Sequence, residues 1–168
     1  MTALAQSSGD DPSIWSDYDP EEHEGAPSGL GVGLIVGDPT GISVASRPVN
    51  QEFTIVGALA WSLPRDALHL HGDYLLNPYI MEDPYFNGVT FPFYIGLGAR
   101  VRIGGAASEN DVLDIGVRVP LGVSVLFEET PVGMDLFFEL VPVIGLFPST
   151  AFDLDGAIGI RFYPGWTL

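Results

Sequence analysis

The chain has no cysteine and no lysine in its 168 residues. Without thiols it has neither a disulfide nor a thiolate metal site, and their absence fits an oxidising compartment. Without lysine, the six basic residues are all Arg and stand against 22 acids, giving a formal net charge of -16. So acidic a chain lacks the basic surface that phosphate neutralisation needs, which argues against nucleic acid as a partner. It also lacks an unbroken apolar run of about 18 residues, so no transmembrane helix is expected. Amphipathic helices fail as well. Twenty-one glycines and fourteen prolines punctuate the chain, and the apolar period is two. A soluble sheet normally dresses its wet face with Lys, Glu and Thr; their scarcity argues against a wet exterior.

What is present is alternation. Ile115, Val117, Val119, Leu121, Val123 and Val125 alternate with Asp114, Gly116, Arg118, Pro120, Gly122 and Ser124. Phe93, Ile95, Leu97, Ala99, Val101 and Ile103 alternate with Tyr94, Gly96, Gly98, Arg100 and Arg102. Phe152, Leu154, Ile158, Ile160 and Phe162 alternate with Asp153, Asp155, Ala157, Gly159 and Arg161. Successive strand residues point to opposite faces, so each segment has one greasy wall and one wall of small or charged groups. The 46% hydrophobic content and mean hydropathy of +0.28 coexist with the high charge because the two are segregated.

Eight strands are expected, over about 29–36, 41–48, 53–62, 68–77, 90–103, 113–126, 133–146 and 151–163. Their short connections, rich in Gly, Pro, Asn and Asp, demand antiparallel neighbours and an up-and-down meander. The longest connection, Pro78 to Gly88, carries Tyr79, Met81, Tyr85 and Phe86 and is a candidate docking loop. Pro92, Pro120 and Pro142 fall inside strands and predict bulges or bends. Residues 1–28 read as a separate, mobile acidic leader: Ser7 to Ser28 holds seven acids, three prolines and no base. Within it, Trp15 and Tyr18 are candidates to dock on the mouth of the fold or on a partner. Ala3-Leu4-Ala5 reads like the small-residue end of a secretory signal.

Two eight-stranded barrels fit the strand count, a soluble lipocalin-like one with its apolar face inward and a membrane one with it outward. The polar face favours the second. Its glycines (Gly31, Gly33, Gly96, Gly98, Gly116, Gly122 and Gly159) suit a narrow lumen. Five arginines (Arg47, Arg100, Arg102, Arg118 and Arg161) nearly balance six acids (Asp73, Asp114, Asp135, Glu139, Asp153 and Asp155), as a shared interior requires. The expected fold is therefore all-β, an eight-stranded antiparallel up-and-down transmembrane β-barrel over residues 29–168. Its lumen network holds those charges with His69 and His71. The lipid-facing set is Ile115, Val117, Val119, Leu121, Val123, Phe93, Ile95, Leu97, Leu154, Ile158 and Ile160.

This pattern, with its Gly-Leu-Gly-Val-Gly-Leu-Ile-Val opening and Gly-Ala-Ile-Gly-Ile-Arg-Phe-Tyr close, resembles the small outer-membrane β-barrel proteins of Gram-negative bacteria, the OmpA-like and OmpX-like class. The resemblance implies insertion into the outer membrane by the barrel assembly machinery. That machinery's usual recognition strand ends in a terminal aromatic, whereas here Phe162-Tyr163 is followed by Pro164-Gly165-Trp166-Thr167-Leu168.

Chemistry is weakly marked. His69, His71 and Asp73 share a face and would supply two imidazoles and a carboxylate to a metal. No fourth ligand accompanies them, so a lumen hydrogen-bond network is the expectation, with no metal and no cofactor. Asp153 with Asp155, or Asp135 with Glu139, would suit acid–base work, but nearby arginines would keep them ionised. Ser43 and Ser124 face inward without a nucleophile elbow or oxyanion hole. Gly31-Val32-Gly33 lies in a strand and opens no helix, so it is no nucleotide fingerprint. Trp61, Tyr74, Tyr85, Phe86, Phe91, Phe93, Phe147, Phe162 and Trp166 cluster near strand ends, as interfacial girdles do. The expectation is a structural or interfacial membrane protein, not an enzyme, with membrane lipids or a second copy as partner. A small porin and a soluble binder of an apolar ligand are the alternatives.

Overall fold

The computed structural model describes residues 27–63, 66–82, 88–104, 113–127 and 130–165. The leader through residue 26, with Trp15, Tyr18 and His23, lies outside the described residues, as do Tyr85, Phe86 and Trp166. Among the described residues nine strands follow one another: β1 (Gly29–Asp38), β2 (Thr40–Arg47), β3 (Phe53–Ser62), β4 (Ala67–Glu82), β5 (Val89–Gly104), β6 (Leu113–Arg118), β7 (Leu121–Phe127), β8 (Gly133–Phe147) and β9 (Ala151–Tyr163). All pairings are antiparallel. β6 and β7 share one position between β5 and β8, and β9 returns to pair with β1, so eight positions close into a ring.

The stagger of that ring can be followed residue by residue. From Phe162 the paired neighbours run to Val32, Val44, Gly57, Gly72, Ala99, Val117, Ile144 and finally Phe152. One circuit thus ends ten residues earlier on the strand where it began. Ten is even, so an outward residue returns to an outward residue and the two faces stay separate all the way round. Strand number and stagger together fix the tilt. Eight positions with this stagger give strands inclined at about 40° and a backbone radius of roughly 8 Å.

The sixth expected strand, 113–126, is in fact two. Pro120 has no N–H to donate, and Pro142 on β8, level with the break, has none either. The remaining groups still bridge the gap: Val119 N–H donates to the Pro142 carbonyl (2.9 Å), and Gly96 N–H donates to the Pro120 carbonyl (2.8 Å). Inward and outward phase therefore continues unchanged from β6 into β7. The Pro78–Gly88 loop is also shorter than expected. An irregularity between Leu76 and Tyr79 absorbs one residue, and β4 then continues to Glu82 paired with β5. Tyr79 and Met81 are accordingly exposed strand residues.

Burial follows the alternation in every strand. Among the strand residues whose side chains are described no charged one is exposed, whereas large apolar ones are exposed on every strand.

Candidate functional site

The buried face is the chemically distinctive part of the molecule, and its charges fall into three layers stacked along the ring. The upper end is the one that carries the β1–β2 and β8–β9 turns. There Arg100 lies 3.0 Å from both Asp153 and Asp155 and 3.4 Å from Asp114. Arg102 bridges Asp114 (3.1 Å) and Asp153 (3.3 Å). At the rim, Ser62 donates to Asp38 (2.6 Å).

In the middle layer Arg118, fully buried, sits between Asp73 (2.9 Å) and Glu139 (3.4 Å). His71 Nε2 is 3.6 Å from the other Asp73 oxygen, and the His69 ring meets His71 edge-on at 5.2 Å. At the lower end Asp135, also fully buried, receives Arg47 (2.9 Å), Arg161 (3.4 Å) and the Tyr163 hydroxyl (3.0 Å) on one oxygen. Arg161 also donates to Ser43 (3.0 Å), and Arg47 to Thr54 (3.2 Å).

All thirteen charged or histidine positions expected inside therefore lie on the inner face, distributed over these layers. An ion buried without a partner is costly, so each layer holds its arginines by sharing carboxylates. The layers are not individually neutral. The upper pairs two arginines with Asp114, Asp153 and Asp155, the middle pairs one with Asp73 and Glu139, and the lower pairs two with Asp135 alone. Buried Arg118 Nη1, His69 Nε2 and His71 Nδ1 have no hydrogen-bond partner among the described residues; groups of this kind are normally satisfied by ordered water.

The interior is not purely polar. Ile35, Ala58, Phe137 and Ala157 form one buried apolar cluster, and Ala45, Val56, Leu75, Tyr94 and Tyr163 form another. Inward glycines make room for these rings. A side chain on Gly31 would strike the Tyr163 ring, one on Gly122 the Tyr94 ring, and one on Gly159 the Phe137 ring. Gly98 in turn leaves space for the Asp73 carboxylate. Arginines pack on the rings too, Arg161 lying 3.8 Å from the centroid of Phe137 and Arg47 5.3 Å from that of Tyr163. The glycines were legible as small inward residues, but the ring each one accommodates was not. The signal was available: Tyr94, Phe137 and Tyr163 keep the same strand phase as the charged residues.

On the outer face Phe93, Ile95, Leu97, Ile115, Leu121, Leu154 and Ile158 are exposed, while Val117, Val119, Val123 and Ile160 are half-buried. Of the expected girdle, Trp61, Tyr74, Phe93, Phe147 and Phe162 are exposed and Phe91 is half-buried. Tyr79, Phe138 and Phe152 join them. Among the described residues no group of three or more His, Asp or Glu side chains is arranged to hold a metal ion. Ser43 is engaged by Arg161 and is not paired as a nucleophile.

No protein-family model, curated protein or solved structure matches the chain.

Proposed function

We propose that the protein is an eight-stranded β-barrel of a Gram-negative outer membrane, in contact with lipid through its outer face and closed inside by arginine–carboxylate layers. Its role is structural or interfacial, without catalysis. The observation that carries this reading is the sorting of side chains. Every strand charge whose burial is described is buried or half-buried, and the exposed surface is apolar on every strand. In water that surface would far exceed the few hundred Å² of contiguous apolar patch that monomers tolerate. In lipid it is the required one, because an arginine there costs about 2–4 kcal/mol at the midplane.

The dimensions agree. Phe152 and Phe162 stand ten residues apart on β9, about 25 Å of height at a tilt near 40°. That is the height of the apolar band of such barrels, flanked by aromatic girdles. Trp61, Phe147 and Phe152 stand toward the upper end, and Tyr79, Phe93 and Phe162 toward the lower.

Two measurements on natively folded protein test the reading. Flotation with phospholipid vesicles, together with faster gel migration before heating than after, is expected; protein that stays soluble without detergent and does not float overturns it. The porin alternative predicts single-channel steps in planar bilayers. The three filled layers predict none, and Arg118→Ala, which opens the middle layer, is the variant in which conductance would first appear.

A further inference from the structure

The outer wall is not the same height all round, and the difference singles out one side. On β8 the outward apolar residues run from Met134 to Leu146, and on β9 from Phe152 to Phe162. At about 2.5 Å of height per tilted residue these are walls of roughly 30 and 25 Å. On β1 they run only from Leu30 to Val36, roughly 15 Å by the same measure, before the chain turns at Asp38–Thr40. β2, with eight residues, contributes just Ile42 and Val44 above Ser46. Meanwhile β4 and β5 have sixteen residues each. The ring thus has a low wall at β1–β2 and a tall wall opposite.

A second, independent feature marks the same side. Every other strand position carries an outward aromatic near at least one end: Phe53 and Trp61, Tyr79, Phe93, Phe127, Phe147, or Phe152 with Phe162. β1 and β2 contain no aromatic residue at all, and no Arg or Lys stands at their upper turn to reach a headgroup. A wall that met lipid at both interfaces would need such anchors, the more so when it is too short for the bilayer. Short spans are accommodated by thinning the bilayer, by reaching side chains or by oligomerising. The second route lacks its residues here.

Resting on the membrane reading above, we propose that the β1–β2 wall is a self-association face, covered by the same wall of a second copy. Copies inserted by one route share an orientation, so a two-fold axis along the membrane normal brings Leu34, Val36, Ile42 and Val44 of one subunit against their equivalents. These side chains are 40–60% exposed in the single chain. The pairing removes both short walls from lipid and leaves the tall β5–β8 walls to match the bilayer.

The natural absence of cysteine makes the test clean. Leu34→Cys and Val44→Cys, on the low wall, are compared with Leu97→Cys and Ile144→Cys, on the tall one, each in the full chain reconstituted at low protein-to-lipid ratio and oxidised with copper–phenanthroline. The low-wall variants are expected to give disulfide dimers at least tenfold faster, and native mass spectrometry from mild detergent to show dimers that Val44→Trp reduces to folded monomers. Equal cross-linking of both walls with only monomers in detergent overturns the proposal in favour of a locally thinned bilayer. Cross-linking confined to the tall wall overturns it in favour of a different face. Flotation of the same samples separates these outcomes from failure of the membrane reading, in which no variant would float.

Discussion

The two faces of β8 show what sorts this molecule. Inward stand Asp135, Phe137, Glu139, Val141 and Val143; outward stand Leu136, Phe138, Leu140, Ile144 and Leu146. Both faces are largely apolar, and Val141 and Val143 are as buried as any residue in the protein. Hydrophobicity alone would therefore not say which side is which. Charge does: the carboxylates of Asp135 and Glu139 stand on one face only, and the face without them is the one left uncovered. The difference between the interior and the exposed outer surface is carried by where the costly groups are hidden.

The largest effect should come from breaking the inner face. Arg118→Met leaves Asp73 and Glu139 buried with their shared cation gone. A loss of about 3–5 kcal/mol is expected in urea unfolding from vesicles. Adding Asp73→Asn and Glu139→Gln should recover most of it, since the cost lies in stranded charge.

A charge moved to the opposite face comes next. Leu97→Arg, at an exposed outward position, should cost about 2–4 kcal/mol in a bilayer. On a wet surface the same substitution would fall within about 0.5 kcal/mol. The same unfolding assay measures it, and the two ranges do not overlap.

A steric change inside should be milder. Gly159→Val drives a side chain into the Phe137 ring, an overpacking worth about 1–3 kcal/mol. Pairing it with Phe137→Leu should recover part of the loss. The smallest effect belongs to the rim. Thr40 accepts from Gly37 N–H and donates to the Gly37 carbonyl at an exposed turn. Thr40→Ala should cost about 0.5–1.5 kcal/mol.

Much of this was legible in the sequence because a period of two fixes the face of every residue once one is known. Arg100, Arg102, Arg118 and Arg161 declared the inner phase, and the outer phase of Leu97, Leu121 and Ile158 followed. What alternation does not encode is which inner residues meet across the ring. Register and stagger decide that Arg118 reaches Asp73 and Glu139 while Arg47 and Arg161 share Asp135. The split at Pro120 was legible only as a bend, because its depth depends on Pro142 standing level with it in the neighbouring strand. The irregularity at Asn77–Pro78 was missed for a related reason: proline reads as a stop, yet beside a bulge the strand resumes with its phase reversed.

The central claim is that the uncharged face meets hydrocarbon. Leu97, midway between the aromatic levels, is the place to ask. With Trp15, Trp61 and Trp166 replaced by Phe, Leu97→Trp folded into vesicles should show blue-shifted emission, quenched most strongly by lipids brominated deep in their acyl chains. Red-shifted emission, untouched by brominated lipid and quenched by aqueous iodide, would contradict the account.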